Sequence, residues 1–262
     1  NIKNKFHIHH SFLFNVYELF YNRKDRCPKR RNIMQNIVDN TLLLSYLNNE
    51  YIKKLFQQFN HPFKILRYEA KETVLHEGEM IDGLYIQMSG RTKITSSVIT
   101  GKALLLRFCS AVSIMGDIEL IQSVNIQSHV TSEQQTDFLF IDKNYVTSYL
   151  LQDVIFLQEL IHHVTYKLQT CTTASRINLL ASVETRFASY LCTARNPSNL
   201  FGREIHTKDH HEIASLIGTT TRHLNRVIEK LIANNIMHKN NKQIVVDDWK
   251  AIDTLSNGLR YE

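Results

Sequence analysis

A chain of 262 residues, 43% of them hydrophobic and 21% charged, can fill the core of one large domain or two ordinary ones, which excludes a disordered protein. Four dispersed cysteines (Cys27, Cys109, Cys171, Cys192) with no CxxC pair argue against a zinc ribbon, a disulfide framework or an iron–sulfur cluster, and fit a reducing cytoplasm. The net charge of +6 lies wholly in residues 1–33, which carry eight basic and two acidic side chains; the rest balances at 23 of each sign, and no apolar run reaches the ~18 residues of a membrane helix.

Residues 1–33 read as a basic extension that begins without Met and holds His7, His9 and His10. As protein, it suits DNA phosphates. Codon arithmetic offers a second reading. Arg30-Arg31 can be written AGG AGG, a ribosome-binding sequence, and Asn32-Ile33 then supplies a two-codon spacer before Met34. On that expectation translation starts at Met34 and the extension is not native.

From Asn36 to Phe59 the apolar spacing predicts one or two short helices. Between Phe63 and Asp142 the texture turns to short β-type runs: 64–66, 73–75, 84–88, 93–95, 103–108, 129–131 and 137–141. Turn signals separate them at Glu77-Gly78-Glu79, Asp82-Gly83, Ser89-Gly90 and Thr100-Gly101-Lys102. Many short strands at near-regular intervals predict a jelly-roll-like β-roll.

No Gly or Pro interrupts residues 145–175, and Ile161, Val164, Leu168 and Cys171 follow a 3-4-3 spacing, which predicts one long helix with an apolar seam. The seam either packs on its own domain or pairs two copies across a dimer axis. Polar Ser175 and Asn178 at the next seam positions predict that the pairing loosens there. A further helix is expected over 179–194, before Asn196-Pro197.

Residues 207–246 carry the most specific pattern. Thr207 is a candidate N-cap for 211–217; Gly218 makes a turn; Thr219-Thr220-Thr221 precede a helix over 222–234 with Leu224, Val227, Ile228 and Leu231 on one face. Helix, Gly-containing turn and capped helix is the arrangement of a helix-turn-helix. Two β-type runs, 236–238 and 243–246, flank Lys239-Asn240-Asn241-Lys242 as a wing with a basic tip. The second helix presents Thr220, Thr221, Arg222, Asn225, Arg226 and Lys230 on its polar face. Arg and Asn can pair with guanine and adenine edges, whereas Thr, Lys230 and Lys242 suit phosphates.

In this order the parts resemble the Crp/Fnr family of bacterial transcription regulators, and most nearly its YeiL branch. The resemblance spans residues 61–250 and rests on the runs 73–79, 84–90, Gly101-Lys102, 114–120 and 212–218, with Thr221-Arg222-His223-Leu224 after them. It implies an α+β protein: a basic extension (1–33), a cyclic-nucleotide-binding-like β-roll with leading helices (34–144), a dimerisation helix (145–178) and a winged helix-turn-helix domain (179–262). It also places Thr221, Arg222 and Arg226 at base-reading positions. Relatives that bind cyclic AMP carry a Gly-Glu phosphate cassette followed by Arg and Ser or Thr. Here Gly116 is followed by the shorter Asp117, and Ile126 or Gln127 stands where Arg is expected, beside Ser128. Without that Arg a buried phosphate loses its bidentate partner, so cyclic AMP is not the expected effector.

The effector-pocket candidates implied are Gly116, Asp117, Glu119, Gln127 and Ser128, with Cys171 and Thr172 on the long helix. No metal or cofactor is expected; the separated His76, His162 and His163 make a weak case for haem, and a thiol switch at Cys109 or Cys171 is the minor reading beside buried structural thiols. With no Gly-rich phosphate loop, HExxH or nucleophile elbow, an enzyme is not expected. The expected protein is a cytoplasmic homodimer that regulates transcription from a palindromic operator with RNA polymerase as a partner, under an effector other than cyclic AMP. The competing expectation is a ligand-binding signalling module whose C-terminal domain binds protein.

Overall fold

The computed structural model describes residues 34–56, 61–98, 103–196, 198–241 and 243–262. The basic extension and its two readings therefore lie outside the described residues, as do Phe59, the Gly101-Lys102 turn, Pro197 and the wing-tip Lys242.

Two helices form near the start, α1 (Asn40–Leu47) and α2 (Glu50–Leu55). Each opens on a side-chain cap: Asp39 accepts the Thr41 and Leu42 amides, and Asn49 accepts those of Tyr51 and Ile52. Before them the short strand β1 (Gln35–Ile37), absent from the sequence expectation, pairs antiparallel with β2 (Lys64–Tyr68). There follow β3 (Thr73–Leu75), β4 (Gly83–Gln87), β5 (Arg91–Ser97), β6 (Ala103–Ser110), β7 (Ser113–Met115), helix α3 (Asp117–Gln122), β8 (His129–Ser132) and β9 (Thr136–Asp142). Every expected β-run is a strand, and β7 is additional.

The strands build two antiparallel sheets, in the orders β1-β2-β9-β4-β7 and β3-β8-β5-β6. Leu84, Ile86, Ile114, Phe138, Leu139 and Ile141 are almost fully buried in the core of this roll. Central strands buried on both faces explain why β4 and β9 read as continuous apolar runs and not as alternating ones.

The single helix expected over 145–175 is divided. Helix α4 (Lys143–Ser148) and a 3-10 turn (Leu150–Gln152) come first; then Asp153, in extended backbone, accepts the Ile155 and Phe156 amides and opens α5 (Val154–Leu180). An Asp that can cap is a start signal, and the absence of Gly and Pro hid it. After Ser182 caps it, α6 runs Val183–Ala194, followed by α7 (Leu200–Ile205), α8 (His210–Leu216), α9 (Thr221–Ala233), the hairpin β10 (Met237–Asn240) and β11 (Gln243–Val246), and α10 (Trp249–Leu255). A second core unites Phe187, Phe201, Ile213, Ile217, Leu224, Ile228, Leu231 and Ile252 with two residues of strand β6, Leu105 and Phe108. The α+β class and the order of parts are those expected.

Candidate nucleic-acid interface and effector pocket

Helix α8 begins at Asp209, whose carboxylate accepts the His211 and Glu212 amides. The expected cap, Thr207, is displaced from that role: its hydroxyl donates to Glu212 at 2.5 Å. Gly218 takes φ +64°, the left-handed conformation that ends a helix without strain at glycine, and Thr220 then caps α9 by accepting the His223 amide. Three side chains distant in sequence hold this turn. Arg186 donates to the carbonyls of Ile217 and Gly218, both at 3.1 Å; Asn178 donates to the Leu216 carbonyl at 3.0 Å; and Tyr261 donates to Asn178 at 2.7 Å. Asn178 therefore faces the turn within its own chain. Spacing alone could not reveal this, because its partner lies in another helix.

Leu224, Val227, Ile228 and Leu231 bury one face of α9. The opposite face exposes Arg222, Asn225 and Arg226, with Thr220 exposed and Thr221 half-buried at its start. Arg222 and Arg226 have no ion-pair partner among the described residues, while Asn225 meets His210 Nδ1 at 3.1 Å. The exposed Lys230 ammonium is ion-paired with Glu184 of α6 at 2.8 Å. Lys208, His211, His223 and Lys239 are further exposed cationic or titratable groups on this unit, and none was singled out by helical spacing.

The cassette turn is tied to the long helix. Gly116 takes φ +86°, and a Cβ there would meet the Gly83 carbonyl at 2.7 Å, so only glycine fits. Asp117, 2% exposed, is gripped by Lys167 of α5, whose ammonium lies 2.9 and 3.0 Å from its two oxygens and donates to the Ile114 carbonyl at 2.8 Å. Glu119 accepts the Gln127 amide at 3.0 Å. The Gln127 side chain is exposed and donates to the Asn125 carbonyl, and Ser128 is half-buried. Cys171 and Thr172 lie exposed on α5, and Arg107 donates to Cys171 Sγ at 3.3 Å.

His163, beside Lys167, accepts the Ile114 amide at 3.3 Å; burial and the lysine's charge push its pKa down to about 4, so the ring is neutral. Cys109 is buried, and burial pushes its thiol up to about 11, an unreactive state.

Residues 65–153 match the cyclic nucleotide-binding domain family, and residues 185–255 match the Crp-like helix-turn-helix domain. The chain belongs to the Crp/Fnr family. Regulatory protein YeiL of Escherichia coli O157:H7 is 20% identical over 193 residues, covering 74% of this Crp/Fnr chain and 85% of that protein. A solved CRP-family transcriptional regulator from Thermus thermophilus, TTHB099, shares the fold at a TM-score of 0.59 and 16% identity, over 75% of this chain and 98% of its own. The c-di-GMP-responsive global regulator CLP of Xanthomonas campestris does so at 0.60 and 20%, over 70% and 93%. This Crp/Fnr chain is a transcription regulator with a helix-turn-helix DNA-binding domain, and the proteins it matches are regulators rather than enzymes. No helix among the described residues is long and apolar enough to cross a membrane.

Proposed function

We propose that this regulator works as a homodimer, reads a palindromic operator through α9, and responds to an effector other than cyclic AMP. The observation that carries the reading is the exposed trio Arg222, Asn225 and Arg226, two of them unpaired cations among the described residues, opposite the buried face of a capped helix. Arg and Asn supply bidentate donors and acceptors for base edges, and the helix N-terminus with Thr220 and Thr221 suits a phosphate.

The seam of α5 supports the dimer. Ile161 and Leu168 are 60% and 65% exposed, Val164 is half-buried and Cys171 is exposed. An apolar stripe at 3-4-3 spacing facing water is what a second copy would cover. Two recognition helices related by a two-fold axis would meet half-sites about 10–10.5 base pairs apart. The functional division is then a β-roll with its flanking short helices to 152, a pairing helix over Val154–Leu180 and a DNA-reading unit from Ser182 onward.

Against cyclic AMP stand Gln127, which brings no charge, and Asp117, whose oxygens Lys167 already holds. Selection of bound sequences from random duplex, followed by titration of variants, tests the reading. Arg222→Ala and Arg226→Ala should each relax preference at one position, at ~1–3 kcal/mol per lost base contact, while Lys239→Ala weakens all duplexes alike. Equal losses on selected and random DNA for all three variants would refute it. Calorimetry with cyclic AMP should show no heat of binding at micromolar ligand.

A further inference from the structure

A cleft of about 900 Å3 opens where the leading helices, the turn between β6 and β7, α5 and α7 meet. It includes no cassette residue. Its walls bring together Tyr51 of α2, Val112 of the turn, His162 and Tyr166 of α5, and Arg203 of α7. Three carboxylates line it from three separate helices: Glu50, Glu159 and Glu204. The cations that pair with two of them, Lys54 with Glu159 at 2.8 Å and Arg107 with Glu204 at 3.1 Å, are not among its lining residues. The charged and aromatic groups facing the space are therefore the carboxylates, the tyrosine rings, two imidazoles and a single guanidinium.

The Tyr51 hydroxyl is pushed up by burial and then by the charge of Glu159; the Tyr166 hydroxyl is pushed up by burial and then by Glu204. Tyr166 Oη is fully buried and makes no well-formed hydrogen bond. A phosphate or other anion entering here would meet the Glu50 and Glu159 carboxylates, while burial pushes the Glu204 carboxyl toward its neutral form. An ammonium would meet their oxygens and the faces of the tyrosines, which together replace part of its lost hydration.

We propose that this cleft is an effector site for a small organic amine with an aromatic or apolar body. The proposal rests on the reading of the chain as an effector-responsive regulator and names the place and chemical class of the effector. A molecule seated there touches the β-roll, the long helix and α7 of the winged unit at once. It therefore has differential contacts with any state in which α7 moves relative to β6, which is the condition for shifting that equilibrium.

The experiment is calorimetric titration, with thermal-shift support, of the full chain without DNA against tyramine and phenethylamine. The acid 4-hydroxyphenylacetate and cyclic AMP are the anionic arms. At least one amine should saturate below about 1 mM, and the acid should bind about tenfold or more weakly. Glu159→Gln, whose partner Lys54 is on the surface, should weaken the amine about tenfold at unchanged fold, as expected for one lost charge-assisted contact. Val112→Trp, which fills the cleft, should abolish binding.

Neither amine saturating by about 10 mM, equal binding of the acid, or affinity unchanged by Glu159→Gln would overturn the proposal. Because the readout involves no DNA, its failure is distinct from failure of the Arg222 and Arg226 experiment.

Discussion

Lys167 and Asp117 tie the cassette turn to the long helix through one buried ion pair. Asp117 is almost wholly buried, and Lys167 supplies both its counter-charge and a bond to the Ile114 carbonyl. Removing only the lysine strands a buried carboxylate, so Lys167→Ala should cost about 3–5 kcal/mol in urea unfolding, and adding Asp117→Asn should recover much of that loss. His163 next to them has its folded pKa lowered from 6.5 to about 4, so the unfolded chain binds the extra proton first. Its contribution is therefore intact above pH 6.5 and is lost progressively as pH falls toward 4, by an amount of order 3 kcal/mol. His163→Gln should flatten that acid limb; an unchanged slope between pH 6.5 and 4 would contradict the assignment. The shortened acid at Asp117 and the missing Arg at Gln127 were legible in the sequence. Lys167 was not, because it acts from another element and leaves no periodic trace near the cassette.

At the level of elements, α5 shows what a repeat can and cannot tell. The 3-4-3 spacing located the exposed stripe correctly, yet the helix begins nine residues later than the expected start at Tyr145, because Asp153 takes up the first amides. If the stripe pairs in parallel across a two-fold axis, Cys171 of one copy stands opposite Cys171 of the other. Mild copper-catalysed oxidation should then give a disulfide-linked dimer that Cys171→Ser abolishes, and Leu168→Glu should give monomer in sedimentation. Cross-linking through Cys192 instead would indicate a different pairing. In α9 the polar face was legible, while the surface tie of Lys230 to Glu184, worth about 0–1 kcal/mol, was not, because its partner lies in another helix; if that tie keeps Lys230 off the phosphates, Lys230→Ala should leave the salt slope of DNA binding nearly unchanged. Strand β1 and helix α10 escaped prediction, the one too short for any period and the other with a single fully buried residue, Ile252, to mark its face.

Across the whole molecule, the β-roll and the winged unit are joined through one sheet edge. Arg91 donates to the His206 carbonyl at 2.6 Å and stacks over Phe108; Lys93 pairs with Glu212 at 2.6 Å; the Leu105 amide donates to Ser215 at 2.8 Å; and Arg107 pairs with Glu204. Lys93→Met should leave Glu212 with a single hydroxyl partner and loosen α8 from the sheet. Limited proteolysis should then cut faster after α5, and an unchanged pattern would show that the apolar contacts alone suffice.

Strand β6 has a consequence for how this architecture can be taken apart. Leu105 and Phe108 leave their own roll to complete the core around α8 and α9, where each is about 4% exposed or less. Burial on that scale is worth ~1.5–3 kcal/mol per side chain, and a cut between the sensor and the reader forfeits it on both halves. Scanning calorimetry should accordingly show one melting transition in place of two. A chimera that grafts this reader onto a foreign sensor would need to carry β6 along, so the heritable module is larger than the segment that touches DNA.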